Sequence, residues 1–416
     1  MRAPSPSGPP LWRRLGAQLW VQLLLGVILG VGAGLLLGER AAVLGEIGAL
    51  VVRLLKALAT PLAFCAVVDA VAQTPISGRM GWRLVGICLV NTGAAAVLAV
   101  TIALVLAPGR HVDPTLLSHL GGANGAGAEL SLHKALEALV PESLLQPFVD
   151  NQVLTVVLLA LGVGVALRRL GVADGRPGAR LAALARDGLL VTQTVLHAIV
   201  RAVPVAIFGV VARVVGTSGF GLFRALFWLV VAVSLGLFLH VALFYSLRLR
   251  LAGRAPLAFW RASASAILTA LSTASSMATL PVTLETLDEK LRVSPAASRL
   301  AACVGTNLNN DGIMLYEVVA AIFVAQLIGR PLGPTELVLL CATSAFAAAG
   351  IAGVPEAGLI TLALVLQAAH LPTELLPVLL SVDWLLGRLR AATNVASDLT
   401  VAAILDAKER ASSSSP

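Results

Sequence analysis

The sequence VGTNLNNDG occupies residues 304–312, in the middle of an apolar segment that runs from Ala296 to Leu327. Three asparagines, one aspartate and two glycines are concentrated there, where pure packing requires none of them. Irregular backbone at membrane depth is tolerated only where it is buried in protein or lines a cavity. The stretch therefore predicts an unwound helix centre. Its freed carbonyls, with Asn309 and Asp311, are oxygen ligands of the kind that small hard cations prefer.

The composition around this stretch is that of a membrane protein. Hydrophobic residues make up 58% of the 416-residue chain and charged residues 12%, about half the charged fraction of average soluble proteins. Apolar runs of about 20 residues, long enough to cross a bilayer, recur at Leu15–Leu37, Leu84–Ala107, Val149–Leu167 and Phe220–Tyr245. We therefore expect an all-α, multi-pass protein of the cell (plasma or inner) membrane, embedded in the lipid bilayer.

The formal net charge of +8 does not indicate a nucleic-acid partner, because its distribution follows membrane topology. The basic residues fall in alternate loops, an arrangement typical of cytoplasmic loops, so both termini are expected to be cytoplasmic. Cys65, Cys88, Cys303 and Cys341 lie in apolar segments without paired spacing. They are interpreted as core residues, not as disulfides or metal ligands.

The chain divides into four parts. Residues 1–10 are Pro/Ser-rich and predict a disordered tail, and residues 408–416 form a second short tail. Residues 11–254 predict transmembrane helices 1 to 6, with a polar excursion outside the membrane and two long tilted helices, Ala41–Ala72 and Leu189–Val215. Residues 255–407 predict a core domain that carries the polar motifs.

Two further interruptions occur at membrane depth, STASSMATLP at 272–281 and GIAGVPEAG at 350–358. Each lies midway through an apolar stretch of about 35 residues. Each half of that stretch is shorter than the about 20 residues that a helix needs to cross a bilayer. Paired interrupted segments are the best sequence pointer to a transport site. Two re-entrant helical hairpins are the prediction, and a pair of kinked helices without a ligand is the alternative.

The last apolar helix, Leu375–Leu405, contains four charged residues, each of which costs about 2.5–3.5 kcal/mol at mid-membrane. At about 100° per residue, a polar stripe falls on one face and consists of Asp383, Gly387, Arg390, Asn394 and Asp398. Arg388 lies off that face. So narrow a stripe indicates a cavity, and structural salt bridging within the helix is the alternative.

Taken in order, these segments resemble the dicarboxylate/amino acid:cation symporter family, which includes the glutamate transporters. The resemblance rests on SSMATLPVT (275–283), NLNNDGIMLYEVVAAIFVAQ (307–326), AGVPEAGL (352–359) and VDWLLGRLRAATNVASDL (382–399). It implies eight transmembrane helices plus two re-entrant hairpins, a homotrimer, and elevator-type movement of a transport domain against a scaffold.

Carried over by position, the resemblance implies a site for a small carboxylate substrate. The candidate substrate-binding residues are Ser275, Ser276, Val354, Glu356, Gly358, Asp383, Gly387, Arg388, Arg390 and Asn394. Arg390 would clamp the distal carboxylate through its planar fork of donors. The hairpin tips would meet the substrate from either side, since helix N-termini favour carboxylates.

The same resemblance implies sites for the coupling cation, Na⁺, a proton or both. One sodium site would use Asp398 and Asn309 with carbonyls near Gly305 and Asn394. A second would use Asp311, Asn309, Asn91 and Thr92. Glu317 matches the position that carries the proton in proton-coupled members.

Departures from the family bear on the substrate. Where amino-acid carriers place an aspartate for the substrate's ammonium group, this chain has Gly387, and a nearby threonine is replaced by Ala391. An unpaired buried charge is costly, so a C4-dicarboxylate without an amino group is favoured. The alternative is an acidic or neutral amino acid, with Glu356 holding the ammonium.

The alternatives from other classes of protein are an intramembrane enzyme and a channel. An intramembrane enzyme with Ser275 or Ser276 as nucleophile needs a nearby base, and no histidine lies between Ala255 and Ala369. The chain is therefore not expected to be an enzyme. A channel is the other alternative, because nothing in the sequence separates a pore from a carrier.

Overall fold

The structure, a computed structural model, describes residues 19–73, 78–111, 143–150, 153–171, 176–219, 221–350, 357–373 and 375–413. These parts of the chain are mainly helical and contain no strand. The main helices are α1 (Leu19–Leu37), α2 (Gly45–Gln73), α3 (Gly78–Leu106), α4 (Val153–Leu170), α5 (Pro177–Val200), α6 (Val203–Ser218), α7 (Gly221–Leu239), α8 (Pro256–Thr273), α9 (Ser276–Glu285), α10 (Asp311–Leu327), α11 (Pro334–Gly350), α12 (Ala357–Ala368) and α13 (Leu376–Ser413).

Several helices have the length and apolar character of membrane spans. Within the described residues, the helical segments Val21–Val51, Gly78–His111 and Phe223–Leu251 are long and apolar enough to cross a bilayer. The prediction of an all-helical membrane protein is therefore confirmed. The count of eight spans stays a prediction.

The prediction of one continuous helix over Leu189–Val215 is wrong. The chain turns at Arg201 and Ala202, and the helical segments on either side are bent by 48°. Pro204 stands at the start of α6. Proline lacks the amide proton that would bond the carbonyl oxygen four residues earlier, and its ring clashes with that carbonyl, so proline is tolerated in the first turn of a helix and not in its interior. The position of Pro204 therefore accounts for the start of a new helix at this point.

The first interrupted segment is a helical hairpin. Ala274 takes a left-handed conformation (φ 55°), and Ser275 caps the second helix through a hydrogen bond from the Ala278 amide to its Oγ. Lys290 Nζ then donates to Ser265 Oγ at 2.8 Å. Residues on opposite arms thus meet, so the chain reverses direction between α8 and α9.

The second interrupted segment also returns on itself. Arg330, just before α11, donates to the carbonyl oxygens of Ala369 and His370, just after α12, at 3.3 and 3.1 Å. The two ends of the segment are therefore adjacent. The intervening tip, with Val354 and Glu356, lies outside the described residues.

The polar stretch at 304–312 interrupts its helix as predicted. A π-helical turn ends at Val304, a 3-10 turn covers Gly305–Asn307, and regular helix resumes only at Asp311. Asn309 and Asn310 lie in the gap and are buried. The unwound centre is thereby confirmed for the residues that carry the predicted cation ligands.

Apolar packing is divided among three clusters. One is formed mainly by α1, α2, α4, α5 and α6. The other two are formed mainly by α3 and the helices from α7 to α13. The polar residues of the unwound centre contact α3, α7 and α13, and it is there that the candidate site is built.

Candidate transport site

Arg390 is the buried cation of the site. Its Nη1 and Nη2 donate to the two carboxylate oxygens of Asp383 at 2.8 and 3.1 Å. The residues are seven apart on α13, or about two helical turns, and are only 4% and 6% exposed. The guanidinium also lies 4.2 Å from the ring centroid of Tyr316, a cation–π contact that holds its plane.

Two glycines border the guanidinium. A Cβ built on Gly358 would lie 2.7 Å from Arg390 Cζ, so that position admits no side chain while the arginine keeps its place. A Cβ built on Gly387 would lie 3.3 Å from Nη2. The position where amino-acid carriers place an aspartate is therefore next to the guanidinium and carries no charge. Arg388 is half-buried, and its position two residues away turns it off this face.

Asn394 is joined to the start of α10. Its Oδ1 accepts from the Gly312 amide at 2.9 Å, and its Nδ2 donates to Asn310 Oδ1 at 3.1 Å. Asn310 Nδ2 donates in turn to the carbonyl of Ala348, near the end of α11, at 3.0 Å. The structure thus brings the predicted substrate residue Asn394 to the unwound centre and to the second hairpin. Asn310 is not among the site residues expected from the sequence, so sequence reasoning missed this bridge.

Asp311 is surrounded by donors from three other helices. Thr92 Oγ1 donates to Oδ1 at 2.9 Å, and the hydroxyls of Tyr245 and Ser397 donate to Oδ2 at 2.7 and 3.1 Å. His240 Nε2 lies 3.5 Å from the same oxygen. The structure thus places Thr92 beside Asp311, with which it was expected to share a sodium site, and that site stays a prediction.

Sequence reasoning missed Tyr245, His240 and Ser397. Tyr245 and His240 lie in a π-helical turn, His240–Tyr245, that continues α7, and no local pattern ties that turn to the unwound centre. Ser397 gave one available signal, because it directly precedes Asp398 on the polar helix.

Asp398 lies at the other end of the network. Its carboxyl group interacts with the side chains of Thr306 and Asn309. Oδ1 of Asp398, Oδ1 of Asn309 and both side-chain atoms of Asn91 have no hydrogen-bond partner among the described residues, although all three side chains are buried. Buried polar atoms are rarely left without partners. Carboxylate and amide oxygens in this state, beside the buried Gly305 turn, fit a small hard cation.

Glu317 lies on α10 directly after Tyr316 and is fully buried. Neither of its oxygens has a hydrogen bond of good geometry among the described residues, and Thr361 of α12 is its polar neighbour. An unpaired carboxylate in such surroundings is costly. A proton would remove that charge.

The tip of the first hairpin is ordered by its own contacts. Ser275 Oγ accepts from the Ala278 amide at 3.2 Å, and the Ser275 carbonyl accepts from Thr279 Oγ1 at 2.8 Å. Ser275 and Ser276 are half-buried. The hydrogen bonds of Ser275 remain within the hairpin, so this tip and Arg390 are not joined by them.

The charges of these side chains do not balance. Asp311, Glu317, Asp383 and Asp398 are all buried, and Arg390 neutralises one of them. Buried charges need partners or must become neutral. Interrupted membrane helices thus hold a buried guanidinium next to buried carboxylates that lack enough positive charge. Such a site is typical of transporters that handle anions together with cations.

The comparisons with known proteins agree with that class. The chain matches the sodium:dicarboxylate symporter family over residues 19–408 and belongs to that family. It is 29% identical to excitatory amino acid transporter 2 of Rattus norvegicus, with 92% of this chain and 78% of that protein covered. It is likewise 29% identical to the C4-dicarboxylate transport protein of Deinococcus radiodurans, with 94% and 89% covered. Overall identity therefore does not separate the two substrate classes.

Proposed function

We propose that this protein is a secondary active symporter that moves a small C4-dicarboxylate across the membrane, coupled to sodium, protons or both. The observation that carries the proposal is the pairing of a buried Arg390 with an uncharged Gly387 beside it. The guanidinium provides an anion site. The glycine provides nothing that would neutralise an ammonium group.

Asp383 does not remove this anion site. It accepts one hydrogen bond from each of Nη1 and Nη2, and a guanidinium has further N–H donors in the same plane. A substrate carboxylate would use the remaining donors or displace Asp383. Because charge-assisted bidentate hydrogen bonds make a guanidinium favour carboxylates, an anionic substrate fits either arrangement.

Cation coupling is supported by the excess of buried carboxylates. Asp398 and Asn309 each retain an unpartnered oxygen, and sodium would supply the missing positive charge there. Glu317 supports a proton as a second coupling ion. Re-entrance of the two hairpins, assembly as a homotrimer, cytoplasmic termini and elevator-type motion of residues 255–407 are parts of the same proposal. The cluster formed mainly by α1, α2 and α4–α6, which also includes Leu364 of α12 and Leu380 of α13, is consistent with a scaffold that contacts the moving part.

The test is uptake into proteoliposomes containing the purified protein. Under an inward sodium gradient, uptake of succinate, fumarate or malate should exceed uptake of aspartate or glutamate. A proton gradient applied without sodium, with Glu317→Gln as the matched variant, separates the two coupling ions. Uptake indifferent to sodium that collapses in Glu317→Gln would assign the coupling to protons and remove the sodium sites from the proposal.

A second candidate is a sodium-coupled amino-acid carrier, acidic or neutral, and its support is the similarity to excitatory amino acid transporters. In that case Glu356 would hold the ammonium. Gly387→Asp distinguishes the candidates, because one charge-assisted hydrogen bond to an ammonium is worth about 1–3 kcal/mol. In a dicarboxylate carrier this change should shift preference toward amino acids. Three results together would support the second candidate: wild type takes up aspartate well, Glu356→Gln loses that uptake, and Gly387→Asp leaves it unchanged.

A further inference from the structure

Ser397 and Tyr245 meet at a junction of buried oxygens. The hydroxyl of Tyr245 lies 2.6 Å from Ser397 Oγ, and both lie within hydrogen-bond distance of Asp311 Oδ2, at 2.7 and 3.1 Å. All three residues are fully buried. The three oxygens therefore form a closed triangle between α10, α13 and the π-helical turn that follows α7.

The number of hydroxyl protons in this triangle allows the direction of its hydrogen bonds to change. Tyr245 and Ser397 bring one hydroxyl proton each to three oxygen–oxygen contacts, and Ser397 Oγ also accepts from Asn309 Nδ2. A hydroxyl can donate its proton or offer a lone pair. Without a cation, both hydroxyls can point their protons at Asp311 and stabilise it as an anion. With a cation beside Asp311, rotation of the same hydroxyls would present oxygen lone pairs.

The triangle also connects the two predicted sodium sites. Asn309 contacts Ser397 through its amide nitrogen and interacts with the carboxyl group of Asp398. A short polar path therefore runs from Asp311 through Ser397 and Asn309 to Asp398. Ser397 and Asp398 are neighbours in sequence, so a shift of one is transmitted directly to the other.

We propose that the hydroxyls of Ser397 and Tyr245 are cation-site groups that complete the coordination at Asp311 and link that site to the one at Asp398. The inference rests on the proposed sodium coupling and adds two residues to it. Neither belongs to the sodium ligands expected from the sequence. Their part is to hold Asp311 in the empty state and to give oxygen ligands to the occupied one.

The test is a sodium titration of the thermal stability of the purified full-length protein, with choline keeping ionic strength constant. Ser397→Cys and Tyr245→Phe retain the side-chain volume and remove the oxygen. The sodium concentration for half-maximal stabilisation should rise about tenfold or more in each, as for other groups that support metal ligands. The steepness of the Ser397→Cys titration should also fall, because the link between the sites is lost.

Two matched variants complete the design. Ser397→Thr keeps the hydroxyl, so its sodium midpoint should lie closer to that of wild type than the midpoint of Ser397→Cys does. Thr400→Val removes a buried hydroxyl one turn further along α13, where it donates only to the Ala396 carbonyl, and should also leave the titration unchanged.

The outcomes separate this inference from the proposed function. If wild type responds to sodium and both Ser397→Cys and Tyr245→Phe titrate within twofold of it, the two hydroxyls are structural and the inference is wrong. If wild type shows no sodium response, the sodium coupling itself fails and takes the inference with it.

Discussion

The contact between α1 and α6 and the polar junction around Asp311 are built in opposite ways. In α1, Gly26, Gly30 and Gly34 recur every fourth residue and lie against α6. A Cβ built on them would lie 2.6–2.7 Å from the carbonyl oxygens of Pro204, Phe208 and Ala212, respectively. Small residues at this spacing allow helix backbones to approach closely in a membrane. At Asp311, by contrast, helices are joined by buried hydroxyl and carboxylate groups.

The difference concerns what each contact depends on. Backbone packing at glycines involves no ionisable group, so its stability should not change with sodium or substrate. The junction at Asp311 and the Arg390–Asp383 pair involve buried charges whose balance depends on bound ions. Substitutions in the first region are therefore expected to change folding stability alone, and substitutions in the second to change responses to ligands.

The largest effect is expected from Arg390→Ala. Removing one partner of a desolvated charge pair costs about 2–5 kcal/mol, which corresponds to a loss of roughly 30-fold to several-thousand-fold in affinity. Dicarboxylate uptake in proteoliposomes should disappear. Because Arg390→Ala leaves Asp383 unpaired, it can also destabilise the fold. The double variant Arg390→Ala/Asp383→Asn removes that unpaired charge, so its uptake reports on anion binding alone.

The control for that substitution is Arg83→Ala, which removes a more exposed ion pair with Glu409. Such pairs contribute about 0–1 kcal/mol, so uptake should persist. Substantial dicarboxylate uptake by a folded Arg390→Ala variant would show that the anion site lies elsewhere.

The next effect is expected from Asp398→Asn and Asn309→Ala. Each removes a hard oxygen ligand or its charge, so the sodium concentration for half-maximal thermal stabilisation should rise about tenfold or more. Asp288→Asn is the matched control, because it removes an exposed carboxylate at the base of the first hairpin. Equal sodium titrations for all four proteins would remove Asp398 and Asn309 from the cation site.

A smaller effect is expected from Gly358→Ala. The added methyl group would overlap Arg390 Cζ and push the guanidinium out of place. Misplacement of a substrate-positioning group can lower the rate about a hundredfold. The substrate concentration for half-maximal uptake should therefore rise by about tenfold to a hundredfold. Gly93→Ala, on α3 with open space around it, should behave as wild type. Unchanged half-saturation in Gly358→Ala would mean that Arg390 does not hold the substrate.

The smallest effect on transport is expected from Gly30→Ala, which lies in the contact between α1 and α6. The new methyl group would meet Phe208 O and the Val211 side chain, and overpacking of this kind costs about 1–3 kcal/mol. The melting temperature should fall while the sodium midpoint stays unchanged. Gly32→Ala, whose Cβ would meet nothing, is the control. A shifted sodium midpoint in Gly30→Ala would contradict the division between the two regions.

Sequence patterns predicted the interrupted helices because glycine, proline and asparagine are conspicuous in apolar surroundings. The unwound centre at 304–312 followed from that signal, and the placement of Thr92 near Asp311 followed from the family resemblance. The ion pair of Asp383 with Arg390 lies within α13 and is the salt bridging that the sequence left as the alternative to a cavity. The partners supplied by distant helices did not follow, because Tyr245 reaches Asp311 through a π-helical turn that no local pattern ties to it. The four-residue spacing of Gly26, Gly30 and Gly34 is visible in the sequence, whereas the identity of their partner α6 is not.

The central claim is that a buried guanidinium without a neighbouring ammonium site selects a dicarboxylate in the presence of sodium. A thermal-shift measurement on the wild-type protein tests it directly, with succinate or aspartate added in sodium or in choline. We expect succinate to raise the melting temperature in sodium and much less in choline, and aspartate to have little effect in either. A larger shift with aspartate than with succinate, or shifts of equal size in sodium and choline, would contradict it.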